Sequence, residues 1–165
     1  MGTETTSCPK AQPRPRVRVS LAQRYNGRMA TRKVLVVDDH VPTRSLIRTI
    51  LEAEKSDTYE VIEAGTGTDS LKAADRNGPF DLILLDVNLP DMDGYAVCRA
   101  IRHVDAKVPI VFVTAKGDLK DYTAGRDAGG DSYLVKPIAR AALRSIVSLF
   151  TSIQRGGREK GAEGA

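Results

Sequence analysis

Hydrophobic positions in this chain follow two alternating rhythms from residue 33 to residue 153. Short apolar runs such as Val34-Leu35-Val36-Val37 and Leu82-Ile83-Leu84-Leu85 read as strands buried on both faces. The pattern predicts strands over 33–38, 59–64, 80–86, 109–114 and 131–136. Between them, apolar residues fall at helical spacing. Leu46, Ile47, Ile50 and Leu51 follow Pro42, which suits an early helical position. Further helices are predicted over 66–76, over 94–102 with Val97 and Ile101 one turn apart, and over 118–128, where Gly129-Gly130 supplies a stop. The fifth, over 138–153, sets Ala142, Ile146, Leu149, Phe150 and Ile153 on one side.

Five strand–helix units with short connections require a parallel sheet covered on both faces, because right-handed crossovers carry each helix over the sheet. The expected class is therefore α/β: a flavodoxin-like five-stranded parallel sheet in the order 2-1-3-4-5 with five helices, in three αβα layers. In that order the switch point lies between the first and third strands. Open α/β sheets build their sites there, outside the strands' carboxyl ends.

Composition trims the possibilities. Residues 1–30 mix Pro9, Pro13 and Pro15 with arginines and hold no apolar period, so a disordered basic tail is expected before a folded unit over 31–154 and a loose polar tail over 155–165. Met29, just ahead of the first strand, is as good a translation start as Met1. The formal charge is +4, yet residues 1–28 carry Lys10, Arg14, Arg16, Arg18, Arg24 and Arg28 against Glu4 alone. The remainder is slightly acidic, so no nucleic-acid partner is expected of the folded part. Cys8 and Cys98 lie far apart without Cys or His partners at ligand spacing, which argues for free thiols rather than a disulfide frame or zinc site. No apolar run approaches the ~20 residues that cross a bilayer, so no membrane partner and a cytoplasmic location are expected.

The candidate chemistry sits where the predicted strands stop. The first ends in Asp38-Asp39, the third in Asp86, and Lys136-Pro137 follows the fifth. Carboxylates gathered within a few ångström must raise their pKa values or recruit a cation. Magnesium suits one or two carboxylates plus waters and a phosphate oxygen, with the Asn88 carbonyl as a further ligand, so the cluster points to phosphoryl chemistry. No Gly-x-x-x-x-Gly-Lys-Ser/Thr loop is present to cradle a nucleotide. A carboxylate can then serve as nucleophile while Lys136 stabilises the transferring oxygens. Thr114, closing the fourth strand, can bond a phosphoryl oxygen, and Tyr133 can fill the space its movement opens, giving a two-state element.

On VLVVDD with Asp38 and Asp39, LILLDVNLPDMDG with Asp86, FVTA with Thr114 and DSYLVKP with Tyr133, Lys136 and Pro137, the chain from about Arg32 to Ile153 resembles a response-regulator receiver domain of two-component signalling, of the stand-alone, chemotaxis-regulator-like kind. The resemblance implies that Asp86 is the phosphoacceptor and that Mg²⁺ is bound by Asp38, Asp39, Asp86 and the Asn88 carbonyl. It implies phosphate drawn from a histidine kinase, a histidine phosphotransfer protein or a small phosphodonor. It further implies a cis Lys136-Pro137 bond and signalling to an effector protein through the fourth helix, fifth strand and fifth helix. Two departures stand out. Gly130 replaces a larger residue and is expected to loosen the approach to the fifth strand, and the fourth helix, with Gly125 inside it and little apolar content, is expected to be the most mobile element.

Other readings compete. Asp38, Asp39 or Asp86 taken singly could be helix caps. Asp91-Met92-Asp93-Gly94 lacks the acids a calcium loop needs in that frame and reads as a loop and helix start. His40 and His103 read as surface residues. A haloacid-dehalogenase-type phosphatase needs a second Asp two positions after its nucleophile, where Asn88 stands, so turnover of phosphoesters is disfavoured and the protein is expected not to be an enzyme. A phosphate-independent interaction module and nucleic-acid binding by the basic tail rank lower. Homodimerisation through the fifth helix stays open.

Overall fold

The computed structural model describes residues 31–115 and 119–159. The expected N-terminal tail, the last residues of the expected C-terminal tail and the Ile153 side chain lie outside the described parts. In chain order the elements are β1 (Thr31–Val37), α1 (Val41–Glu52), β2 (Thr58–Ala64), α2 (Gly67–Asn77), β3 (Leu82–Asp86), α3 (Gly94–Val104), β4 (Ile110–Thr114), α4 (Leu119–Asp127), β5 (Ser132–Val135) and α5 (Arg140–Glu159). All strands pair in parallel in the order β2-β1-β3-β4-β5, as the alternation requires.

Side chains of successive strand residues enter opposite layers. Val34, Val36, Leu82, Leu84, Val111 and Val113 meet Ile47, Ile50 and Leu51 of α1 and Leu143 and Val147 of α5. Leu35, Val37, Ile83, Leu85, Ile110 and Phe112 meet Val97, Cys98 and Ile101 of α3. Both faces of β1, β3 and β4 are thus buried, which is why these strands carry near-continuous apolar runs. Helix starts have local causes: the Tyr95 N–H donates to the Asp93 carboxylate at the head of α3, and the Asp69 N–H donates to the Thr66 hydroxyl at the head of α2.

Several boundaries differ from the sequence reading for identifiable reasons. Phe80 and Asp81 precede β3, because Asp81 is locked to β1: its N–H donates to the Lys33 carbonyl and its carboxylate accepts the Lys33 N–H, each at 2.8 Å. β5 stops at Val135, so Lys136 stands just beyond the strand, followed by a cis bond to Pro137 as the resemblance implied. α5 begins at Arg140 and runs to Glu159, past the residue where the apolar period ends. Its buried stripe is Leu143, Val147 and Thr151 flanked by Ile146 and Phe150, while Ala142 and Leu149 are exposed. Leu46 likewise faces out of α1 at 43% exposure. Both helices carry apolar residues on more than one side, and only the partner sheet decides which side is buried.

Candidate functional site

Three strand ends bring the predicted side chains together. Asp38 follows β1, Asp86 closes its neighbour β3, and Lys136 follows β5, with its N–H donating to the Thr114 carbonyl at the end of β4 (2.8 Å). Lys136 Nζ lies 2.6 Å from Asp86 Oδ2 and 2.7 Å from Asp38 Oδ2, bridging two carboxylates that are almost wholly buried. Asp39 is exposed beside them. The second oxygen of each buried acid accepts a main-chain N–H two residues on: His40 to Asp38 Oδ1 at 2.8 Å and Asn88 to Asp86 Oδ1 at 3.1 Å. The sequence reading grouped these residues and the geometry brings them to one point.

Burial pushes the Asp86 carboxyl above its ordinary range, against the opposing pull of Lys136 and the Asn88 N–H. Burial also works against the Lys136 ammonium, but the carboxylates of Asp38 and Asp86 outweigh it and hold its pKa above normal, so the side chain stays cationic. One amine therefore serves two buried acids with a third alongside. The donor set suits a small hard cation: one oxygen from each of Asp38, Asp39 and Asp86 lies within 4.8 Å of the others. Asp38 Oδ2, though close to Lys136, receives no aligned hydrogen bond, which leaves a buried lone pair for a ligand.

Contacts that the sequence did not reveal fix the loops around this point. Arg44, one turn into α1, donates from Nη1 to the carbonyls of Asp38 (2.6 Å) and Asp39 (3.3 Å), and Glu63 of β2 holds the guanidinium at 3.2 Å. Asp91, read only as part of a loop, accepts the N–H of Gly67 (2.7 Å), the N–H of Thr68 (2.8 Å) and the Thr68 hydroxyl (2.7 Å). The Thr68 hydroxyl and these N–H groups hold its carboxyl down to about 2. Gly94 has no Cβ for a steric reason, since one would lie 2.8 Å from Val87 Cα and closer still to the Asp86 carbonyl. The Arg44–Glu63 pair and the Asp91 contacts join segments distant in sequence. The one local cue was an arginine six residues after Asp38.

Thr114 is buried at the end of β4. Tyr133 of β5 donates from its hydroxyl to the Tyr122 carbonyl of α4 at 3.2 Å, and its ring packs on Phe112 and Tyr122 with centroids 5.4 and 4.5 Å away. Gly125 makes room for that ring: a Cβ there would lie 2.6 Å from Tyr133 Cζ and nearer its hydroxyl. The helix glycine read as a weak point is thus part of the tyrosine's seat. Elsewhere, His40 and His103 are exposed, as expected. Cys98 is a free buried thiol whose pKa burial pushes up to about 11, leaving it a packing residue.

A doubly wound α/β domain whose switch point holds two buried carboxylates bridged by a lysine, with a third beside them, defines a class of phosphate-handling domain. The chain belongs to the response regulator receiver domain family, whose model matches residues 34–148. It is 44% identical over 108 residues to the transcriptional regulatory protein ResD of Bacillus subtilis, covering 65% of this chain and 42% of that one. It is 42% identical over 105 residues to the DNA-binding response regulator MtrA of Mycobacterium tuberculosis, covering 64% and 44%. A solved CheY-like receiver domain from Methanospirillum hungatei superimposes with a TM-score of 0.71 at 27% identity, covering 78% of this chain and 99% of the other.

Members of this family are phosphorylated on an aspartate in two-component signalling and generally bind Mg²⁺ at an acidic pocket. The chain spans less than half the length of ResD and MtrA. The names of these relatives include transcriptional regulation and DNA binding, so the expectation of no nucleic-acid partner finds no support in them, nor does the stand-alone reading. Among the described residues, no helix is long and apolar enough to cross a membrane.

Proposed function

We propose that this protein is a phosphoryl-gated signalling switch in which Asp86 accepts a phosphoryl group from a histidine kinase, a histidine phosphotransfer protein or a small phosphodonor. The observation that carries the reading is the Lys136 ammonium, 2.6 Å from one buried carboxylate and 2.7 Å from another at the sheet's switch point. In the step itself, an Asp86 oxygen attacks phosphorus, a new O–P bond forms, and the bond to the donor breaks with its electron pair leaving on the donor. The Asn88 N–H on Asp86 Oδ1 orients the carboxylate so that the other oxygen faces Lys136. Lys136 then meets the charge gathering on the transferring oxygens.

Asp38, Asp39 and Asp86, with the Asn88 carbonyl, would hold Mg²⁺, which when bound neutralises the acids and the incoming phosphoryl oxygens. The Thr114 hydroxyl would bond a phosphoryl oxygen. Tyr133, seated against Gly125 and Phe112, would respond by changing its contacts with α4, so that the surface of α4, β5 and α5 reads differently to an effector protein. Coupling of this kind is worth ~1–3 kcal/mol between site and surface.

The test is incubation of the full chain with acetyl phosphate and Mg²⁺, followed by intact mass. A single phosphoryl adduct, absent without the metal and absent in Asp86→Asn, is the expected result. No adduct from acetyl phosphate or any kinase would end the proposal. Sustained release of inorganic phosphate from phosphoesters would favour a phosphatase of the haloacid-dehalogenase type instead.

A further inference from the structure

The loop 87–93, which follows the proposed phosphoacceptor and contains Asn88, is anchored on both flanks by separate devices. On its own side, the Gly94 N–H donates to the Val87 carbonyl (2.8 Å), and Asn88 and Asp93 form an antiparallel bridge. On the other side Asp91 reaches across to α2 and takes up two main-chain N–H groups and a hydroxyl with its two carboxylate oxygens. Met92 presses on the same helix start: a Cβ at Gly67 would lie 2.7 Å from its sulfur. The first turn of α2 follows β2, whose last residue Ala64 receives the N–H of Asp38 at 3.1 Å. The clamp therefore joins the loop after Asp86 to the helix that follows the strand supporting Asp38.

Charge makes the clamp tight. Helix N-termini leave N–H groups without intrahelical partners and favour anions, and a carboxylate is the strongest neutralising group a side chain offers them. α2 has a cap of its own in Thr66, whose hydroxyl accepts the Asp69 N–H at 3.0 Å, so Asp91 is not needed merely to start the helix. The added bonds tie down a loop.

We infer that Asp91 is a positioning residue for the metal-dependent phosphoacceptor site: by fastening the 87–93 loop to α2 it holds the Asn88 main chain against the acid cluster. The inference rests on the Mg²⁺-dependent phosphorylation of Asp86 proposed above. Partners that orient metal ligands affect affinity by on the order of ten- to a hundredfold. Removing Asp91 should therefore raise the Mg²⁺ concentration needed for half-maximal phosphorylation about tenfold, with little change in rate at saturating metal.

The experiment compares the full chain with Asp91→Ala, Asp91→Asn and Thr66→Val. The phosphorylation rate with acetyl phosphate is followed across a Mg²⁺ titration, and Mg²⁺ binding without phosphodonor is followed by calorimetry. Thr66→Val removes the local cap of the same helix and leaves the loop clamp in place, so it reports what simple weakening of α2 does. Expected are a weakened Mg²⁺ constant in Asp91→Ala, an intermediate one in Asp91→Asn, which keeps a neutral acceptor, and an unchanged one in Thr66→Val. Equal Mg²⁺ constants in parent and both Asp91 variants, or an equal shift in Thr66→Val, would overturn the inference. Should Asp91→Ala fail to fold, Asp91→Asn decides by the same criterion. A parent protein that takes up no phosphoryl group at all defeats the functional reading, whereas a parent that does so while the variants match it defeats only the role of Asp91.

Discussion

Gly130→Ala is the substitution whose consequence follows most directly from the structure. A Cβ at this position would lie 2.8 Å from Phe112 Cδ2 and closer to Cε2, whereas carbon atoms settle at about 3.5–4.0 Å, so the ring must retreat by roughly 1 Å. It has nowhere to go. Phe112 is fully buried, with the Tyr95 ring meeting it edge-on at 5.0 Å and the Tyr133 ring lying against it at 5.4 Å. The backbone is not at issue, since the left-handed φ of +94° belongs to Gly129 and not to its neighbour. The expected loss is that of overpacking a closed core, about 1–3 kcal/mol. Phe112→Leu alone should cost on the order of 1 kcal/mol in lost contact and cavity. Combined, the two should cost less than their sum by at least about 1 kcal/mol, because the smaller side chain vacates the space the methyl needs. Urea unfolding of the four proteins at constant m-value measures this. Additivity within about 0.5 kcal/mol, or a neutral Gly130→Ala, would refute the reasoning.

Three further outcomes are expected. Lys136→Ala leaves Asp38 and Asp86 buried without their cation and should cost about 2 kcal/mol in metal-free buffer, below the 3–5 of a sealed ion pair, because the lysine side chain keeps 23% exposure. Unfolding with and without Mg²⁺ should show the metal recovering part of that loss, and identical curves would contradict it. Asp91 has a folded pKa of about 2 against an unfolded value near 4, so its stabilising effect is complete above about pH 4 and disappears as pH falls toward 2. Asp91→Asn should flatten the acid limb of stability in that window and change nothing in slope above it; an unchanged acid limb would show that the carboxylate makes no such bonds in solution. In α4, among residues whose side chains are described, Gly125 alone is buried, so amide hydrogen exchange there should be faster than in β1. Equal protection of the two would count against it.

What the sequence made legible follows from which interactions are local. β1, β3 and β4 announced themselves because burial on both faces fills their middles with apolar residues, and parallel order follows from the alternation with helices. Asp38, Asp86 and Lys136 could be assembled on paper because parallel strands deliver their carboxyl ends to one edge. Side-chain register on α5 could not, since Leu143 and Val147 compete with Ala142 and Leu149 for the sheet and only packing chooses. Arg44 and Asp91 escaped for a related reason: most of their partners are main-chain groups, which carry no sequence signature, and Asp91 finds its two 23 and 24 residues away. Gly130, singled out for the approach to β5, also makes space for the Phe112 ring. Exchange of volume between a glycine and a phenylalanine on different elements is a tertiary property that neither residue discloses alone.

The most direct test of the account is to find which side chain carries the phosphoryl group. After phosphorylation with Mg²⁺ and a donor, borohydride reduces an aspartyl phosphate to the homoserine alcohol, and peptide mass mapping locates the reduced residue. The account requires a single modified position, Asp86, and none in Asp86→Asn. Modification at Asp38, at Asp39 or on a histidine, with Asp86 intact, would contradict it.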